Sequence, residues 1–112
     1  MDSCELLCLD LETAEAVRSN LDLERVDAMA AAAKTLADPT RLLILQALEQ
    51  HELCGCDLSW VTSQSDKTVS HHLSRLRREG LVTGRRDGKV IFASLTDHGR
   101  ARLTALETLI PA

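Results

Sequence analysis

The sequence predicts a mostly α-helical fold with a small β-hairpin, and three observations lead there. Apolar residues recur at three- and four-residue intervals over most of the 112 positions. Trp60 and Phe92 are the only aromatics, so the core must be built from Leu, Ile, Val and Ala. Only around Asp87-Gly88 does the period fall to about two. The length suits one small domain, and a helical domain of this size often buries further apolar surface by pairing with a second copy. We divide the chain into an amino-terminal segment, 1–22, and a folded domain, 23–112.

Leu11–Ser19 has a helical tendency, and Leu23-x-x-Val26-x-x-Met29-Ala30 opens a clearer helix that runs to Leu36. Asp38-Pro39-Thr40 then breaks the pattern, with Asp suited to cap the next helix and Pro to its first turn. Leu42-Leu43-Ile44-Leu45 and Leu48 form a strongly apolar second helix, read as core. A short helix is expected from about Cys54 to Thr62, burying Leu58, Trp60 and Val61. Ser63-Gln64-Ser65 reads as a turn and cap, followed by a helix over 66–79 with Val69, Leu73 and Leu76 on one face and Gly80 as its stop. Asp87-Gly88 between two short apolar runs signals a tight hairpin. Thr96-Asp97 can cap a last helix whose Leu103, Leu106, Leu109 and Ile110 form a stripe that suits the core or, with little chain left to cover it, a dimer face. Helix, turn, helix and basic-tipped hairpin is the order of a winged helix-turn-helix, expected as a homodimer.

Charge is distributed unevenly. The net value is −4, yet residues 63–89 carry seven Lys or Arg against three Asp or Glu, while residues 1–62 carry four against twelve. One basic segment in an acidic chain is the footprint of a nucleic-acid surface, or of a solvated charged face. In the reading helix of such a motif, the amino-terminal residues reach base edges. Gln64, Ser65, Lys67, Thr68, Ser70 and His71 have the short donors and acceptors for that task. Arg75 and Arg78 lie further along the helix and suit phosphates, while Arg85, Arg86 and Lys89 flank the hairpin tip and suit the DNA backbone or minor groove. His71 and His72, adjacent on a helix, point about 100° apart and do not easily share one ion.

No apolar run approaches the roughly 18–20 residues needed to cross a bilayer. The opening Met1-Asp2-Ser3-Cys4-Glu5 lacks the basic stretch of a signal peptide. Together these predict a cytoplasmic protein, where four cysteines point to metal or redox chemistry before structural disulfides. Cys4 and Cys8 are four apart, so their sulfurs can face one way on a helix or turn. Cys54 and Cys56 would diverge by about 200° on a regular helix, so they converge only if Cys54 sits at or before the helix start. Four thiolates suit a tetrahedral site for a soft divalent ion. A thiol redox switch and a static structural zinc remain open on these residues. Catalysis is disfavoured: no Cys-His-acid set has a plausible orienting partner, and no phosphate-binding glycine loop is present.

Leu36-Ala37-Asp38-Pro39-Thr40-Arg41, Glu52-Leu53-Cys54-Gly55-Cys56-Asp57-Leu58, Ser63-Gln64-Ser65, Val69-Ser70-His71-His72-Leu73 and Gly88-Lys89 together resemble the ArsR/SmtB metal-sensing repressors. Asp2-Ser3-Cys4-Glu5-Leu6-Leu7-Cys8-Leu9-Asp10 is similar to the amino-terminal motif of the CadC branch. The resemblance implies a homodimeric winged-helix repressor that leaves operator DNA on binding Cd(II) or Pb(II), with Zn(II) a further inducer. It implies Cys4, Cys8, Cys54 and Cys56 as ligands, the amino-terminal pair of one subunit joining the Cys-x-Cys pair of the other, with Cys8 the least critical. Two departures matter. Ser59 replaces the third helix cysteine of arsenic-sensing relatives. The family's second site, on the last helix, keeps Asp97, but His98 falls one place early and Gly99 occupies the position of the His, so that site is expected to be absent.

Overall fold

The structure is a computed structural model and describes residues 10–111. The chain divides into two compact units, Met1–Ala31 and Ala32–Ala112.

In the first unit, Asp10 caps helix α1 (Leu11–Ser19) by accepting from the Thr13 backbone N–H at 3.0 Å. Helix α2 (Leu23–Leu36) begins here and ends in the second unit. Leu11, Val17, Leu23, Val26 and Met29 are all exposed.

The second unit holds the core. Asp38 caps α3 (Pro39–Gln50), with Pro39 in the first turn where its missing N–H costs nothing. The two-residue strand β1 (Leu53–Cys54) leads directly into α4 (Gly55–Thr62). Helix α5 (Asp66–Arg78) follows a turn at Ser63, the one non-glycine residue with positive φ among the described residues. Strands β2 (Val82–Asp87) and β3 (Val90–Leu95) form the hairpin, and α6 (Asp97–Glu107) closes the chain. Ile44, Leu45 and Leu48 of α3, Leu58 of α4, and Val69, Leu73 and Leu76 of α5 meet Leu81, Val82, Ala93 and Leu103 in one apolar cluster. The helical periodicity placed Ile44, Leu45, Leu48, Leu58, Val69, Leu73 and Leu76 correctly, whereas Leu43, read as core with its helix, is exposed.

Several expectations need correction. The sheet has three strands in the order β1-β3-β2, because Leu53 and Cys54 pair antiparallel with Ala93 and Phe92. Two residues are too few for a readable alternation, so this strand was missed. The hairpin corner is Gly88-Lys89, with Asp87 paired to Val90: Gly88 alone takes positive φ, as a left-handed first corner requires. Trp60 is 87% exposed and Val61 half so, because the short α4 buries only the face carrying Leu58 and Thr62. Thr96 rather than Asp97 caps α6, its hydroxyl accepting from the Gly99 N–H at 3.0 Å. The stripe on α6 splits: Leu103 is core, Leu106 packs against it, and Leu109 and Ile110 are exposed.

Gly99 has a steric reason to lack a side chain. A Cβ there would lie 2.1 Å from the Leu81 carbonyl oxygen, which also accepts the Thr96 N–H. No metal-ligating residue fits at that position without moving the backbone. Gly99→Ala is therefore expected to destabilise the fold by about 2–3 kcal/mol, read as a lower urea midpoint with an unchanged slope.

Candidate metal and nucleic-acid interface

Cys54 is the N-cap residue of α4, in extended conformation at φ −83° and ψ 170°, and Cys56 stands in the first turn. This is the irregularity that the two-residue spacing demands. Pairing with Phe92 holds Cys54 out of the helix. Its thiol donates to Asp57 Oδ2 at 3.2 Å. Cys54 is half-buried, Cys56 exposed, and neither is in a disulfide. Nothing lies within 4 Å of a Cβ built on Gly55, so space between the two cysteines is not what calls for glycine.

Cys54, Gly55 and Cys56 line one wall of an open groove of about 450 Å³ whose other walls are α5 and β3. Ser70, Arg77 and Lys89 are among its polar residues. Among the described residues no group of three or more His, Cys, Asp or Glu could hold a metal ion. Cys54 and Cys56, separated by one residue, stand at the groove wall, and the other two candidate ligands, Cys4 and Cys8, lie outside the described residues.

Helix α5 presents the candidate reading residues. Ser65 caps it, accepting from the Thr68 N–H at 3.1 Å and donating to Thr68 Oγ1 at 2.9 Å. Gln64, Ser65, Lys67, Ser70, His71 and Arg78 are exposed, and Thr68 is partly so. Arg85, Arg86 and Lys89 are exposed on the hairpin. Arg75 differs from the other cations. Its guanidinium donates to Thr35 Oγ1 at 3.2 Å and to Glu79 Oε2 at 3.4 Å, inside the protein's own framework. Arg77, which the sequence argument did not single out, is exposed at the groove beside Ser70 and Lys89. The run of basic residues was its only signal.

A polar chain fixes α5 to its neighbours. The buried Thr35 hydroxyl donates to Glu79, and the Thr35 carbonyl accepts from Arg41 Nη1 at 2.9 Å. Arg41 Nε in turn donates to His72 Nδ1 at 3.1 Å, so His72 carries its proton on Nε2. Burial holds the His72 pKa below its ordinary value, with the Asp38 carboxylate opposing and the Arg41 guanidinium adding to the effect. The Arg41 backbone N–H holds the Asp38 carboxyl below the usual carboxylate range.

On the hairpin, Glu52 accepts from Arg85 Nε at 3.2 Å and Nη2 at 2.5 Å, and from Ser94 Oγ at 2.9 Å. Arg85 also lies over the Phe92 ring, 5.0 Å from its centroid. The pairing with Arg85 is the main cause that lowers the Glu52 pKa and raises that of Arg85.

Comparison with known proteins agrees with this geometry. The model of the family described as bacterial regulatory protein, arsR family, matches residues 38–83. The chain is 37% identical over 99 residues to a Synechocystis protein named transcriptional repressor SmtB homolog, covering 88% of this chain and 75% of that one. The chain belongs to the ArsR/SmtB family. A Listeria innocua cadmium resistance transcriptional regulatory protein, CadC, is 33% identical over 90 residues, 80% of this chain and 76% of that one. The solution structure of the homodimeric winged helix-turn-helix DNA-binding domain Mb0332 from Mycobacterium bovis superposes with a TM-score of 0.66. It is 32% identical, covering 78% of this chain and 81% of that one. Family and fold make this ArsR/SmtB chain a winged-helix transcriptional regulator and not an enzyme. Among the described residues no helix is long and apolar enough to cross a membrane.

The buried histidine sets a pH dependence. The unfolded chain protonates His72 near its ordinary 6.5, above the point at which the folded chain does, so stability is complete above that value and falls as pH drops through it. Urea midpoints at about pH 7.5 and about pH 5.5 should differ in that direction. His72→Asn, which keeps an acceptor for Arg41 but does not titrate, should lower the midpoint at both and abolish most of the difference.

Proposed function

We propose that this chain is a homodimeric, metal-responsive repressor that binds operator DNA when metal-free and is released by Cd(II) or Pb(II), with Zn(II) a further inducer. Cys54, Cys56, Cys4 and Cys8 are the proposed ligands. The observation that carries the reading is the position of Cys54: it is at once the N-cap of the first helix of the reading motif and a member of the strand paired to the wing. The names of the SmtB and cadmium-resistance relatives support a metal inducer. The homodimeric Mb0332 domain supports a dimer, and the exposed Leu109 and Ile110 give it apolar surface to bury.

The residues have separable tasks. Exposed Gln64, Ser65, Lys67, Ser70 and His71, with the partly exposed Thr68, read base edges at the start of α5, while Arg78, Arg85, Arg86 and Lys89 neutralise phosphates. Arg75 holds α5 in place through Thr35 and Glu79. Cys54 and Cys56 supply two thiolates beside a helix N-terminus, and Cys4 and Cys8 supply two more from the acidic amino-terminal segment. These four sulfurs would hold a soft divalent cation, which would tie that segment to the reading motif. Because the acidic segment and the DNA phosphates carry the same sign of charge, drawing it toward α4 opposes DNA binding. Linkage then requires DNA to weaken metal binding by the same factor.

Under reducing conditions, Cd(II) should lower operator affinity by about 5–150-fold, the range of a typical coupling. Cys54→Ser should remove that response while leaving metal-free affinity intact. Trp60, the sole tryptophan, stands four residues from Cys56 and reports binding by fluorescence. Release by peroxide alone, with none by metal, would assign the thiols to a redox switch. Unfolding on chelation without loss of affinity on metal addition would assign them to a static zinc.

A further inference from the structure

We propose that Glu52 is a built-in competitor for the wing: its carboxylate occupies the Arg85 guanidinium that the hairpin would otherwise offer to a DNA phosphate. The inference rests on the reading of the hairpin as a DNA-contacting wing, and not on the metal.

The contact is specified from several directions. Two nitrogens of Arg85 donate to the two oxygens of Glu52, in the fork geometry that an arginine also uses for a phosphate. The carboxylate cannot swing freely, because Ser94 donates to it from β3. The guanidinium is held from below by the Phe92 ring. Backbone register explains why these groups meet. Phe92 pairs with Cys54 on one side and with Arg85 on the other, and Ala93 pairs with Leu53. Continuing that register one step places Glu52 opposite Ser94, and side chains of directly paired residues lie on one face. Ser94 pairs with Thr83, two residues before Arg85, so Glu52 lies on the same face as Arg85 and diagonal to it, within reach of its long side chain.

The electrostatic consequence is direct. Arg85 is exposed, yet a carboxylate already satisfies two of its nitrogens. A phosphate must displace Glu52 or share the guanidinium with it. Asp87 gives no comparable hold, since its Oδ2 lies 3.9 Å from Arg85 Nη1. Arg86 has no ion pair among the described residues, so the two neighbouring arginines differ: one is free, one is masked.

The test uses the full metal-free chain and a random-sequence duplex, which reads the phosphate contribution alone. Glu52→Gln should bind roughly two- to fivefold more tightly at low salt, as expected for release of an exposed ion pair. The slope of log affinity against log salt should steepen by up to about 0.9 per protomer. Glu49→Gln, which removes the same charge from an exposed site on α3, should change neither, and so controls for net charge. In an Arg85→Ala background, Glu52→Gln should have no further effect. If Glu52→Gln leaves affinity and slope unchanged while Arg85→Ala weakens binding, the wing reading stands and the competition is wrong. If Arg85→Ala itself changes nothing, the wing reading fails. A gain from Glu52→Gln that persists without Arg85 also overturns the proposal, since it assigns the effect to bulk charge. Should Glu52→Gln disturb the hairpin, seen as a lower urea midpoint, Ser94→Ala loosens the same carboxylate and should shift affinity in the same direction, and no shift would overturn the proposal.

Discussion

Everything near the site depends on the pairing of two residues, Leu53 and Cys54, with Phe92 and Ala93. Without it the chain after α3 would run straight into α4, and a cysteine pair spaced by one residue would point to opposite sides of a helix. With it, Cys54 is extended, Cys56 is helical, and the joint between them faces a groove bounded by α5 and the hairpin. The same pairing attaches the hairpin to the helical body on the side away from β2. One short strand thus sets the position of the thiols, the start of the reading motif and the base of the wing.

The recognition helix is held by a second device, of different chemistry. Its apolar face, Val69, Leu73 and Leu76, supplies burial but little directional constraint. Direction comes from polar groups: Arg75 and Glu79 on Thr35, and His72 on Arg41. Such groups are costly when left unpaired, so the arrangement is satisfied in one orientation and penalised in others. This explains why a helix rich in basic residues commits one arginine and one histidine inward while Lys67, Arg77 and Arg78 remain exposed.

Much of this architecture was legible in the residues alone. The helices between Leu11 and Arg78 were legible from apolar spacing, and the starts at Pro39 and Asp66 from capping side chains, because both act locally. The N-cap position of Cys54 followed from a geometric requirement on a Cys-x-Cys pair. What could not be read depends on partners distant in the chain. Strand β1 is two residues long and exists only because β3 lies beside it, Trp60 is exposed because α4 is too short to bury two faces, and Arg75 is engaged by Thr35, 40 positions away. Glu52 gave no local signal for the same reason: Arg85 is 33 positions on. Gly99 is the instructive case between the two. Its identity alone shows that a ligand is missing, whereas the carbonyl of Leu81 shows why one has no room.

Magnitudes are consistent with the proposal that a ligand on this thiol pair biases DNA binding without unfolding the domain. The strand that carries Cys54 meets β3 at only two positions, and a net backbone hydrogen bond contributes about 0.5–1.5 kcal/mol. Shifting or straining that pairing therefore costs on the order of 1–3 kcal/mol, the range of a typical coupling free energy between two sites. The core beneath, from Ile44 and Leu58 to Leu76 and Leu81, is fully buried and far more costly to disturb. In the proposed reading, a ligand on Cys54 would therefore act first on the two-residue pairing that joins it to the hairpin, while the recognition helix stays tied to Thr35 and Arg41.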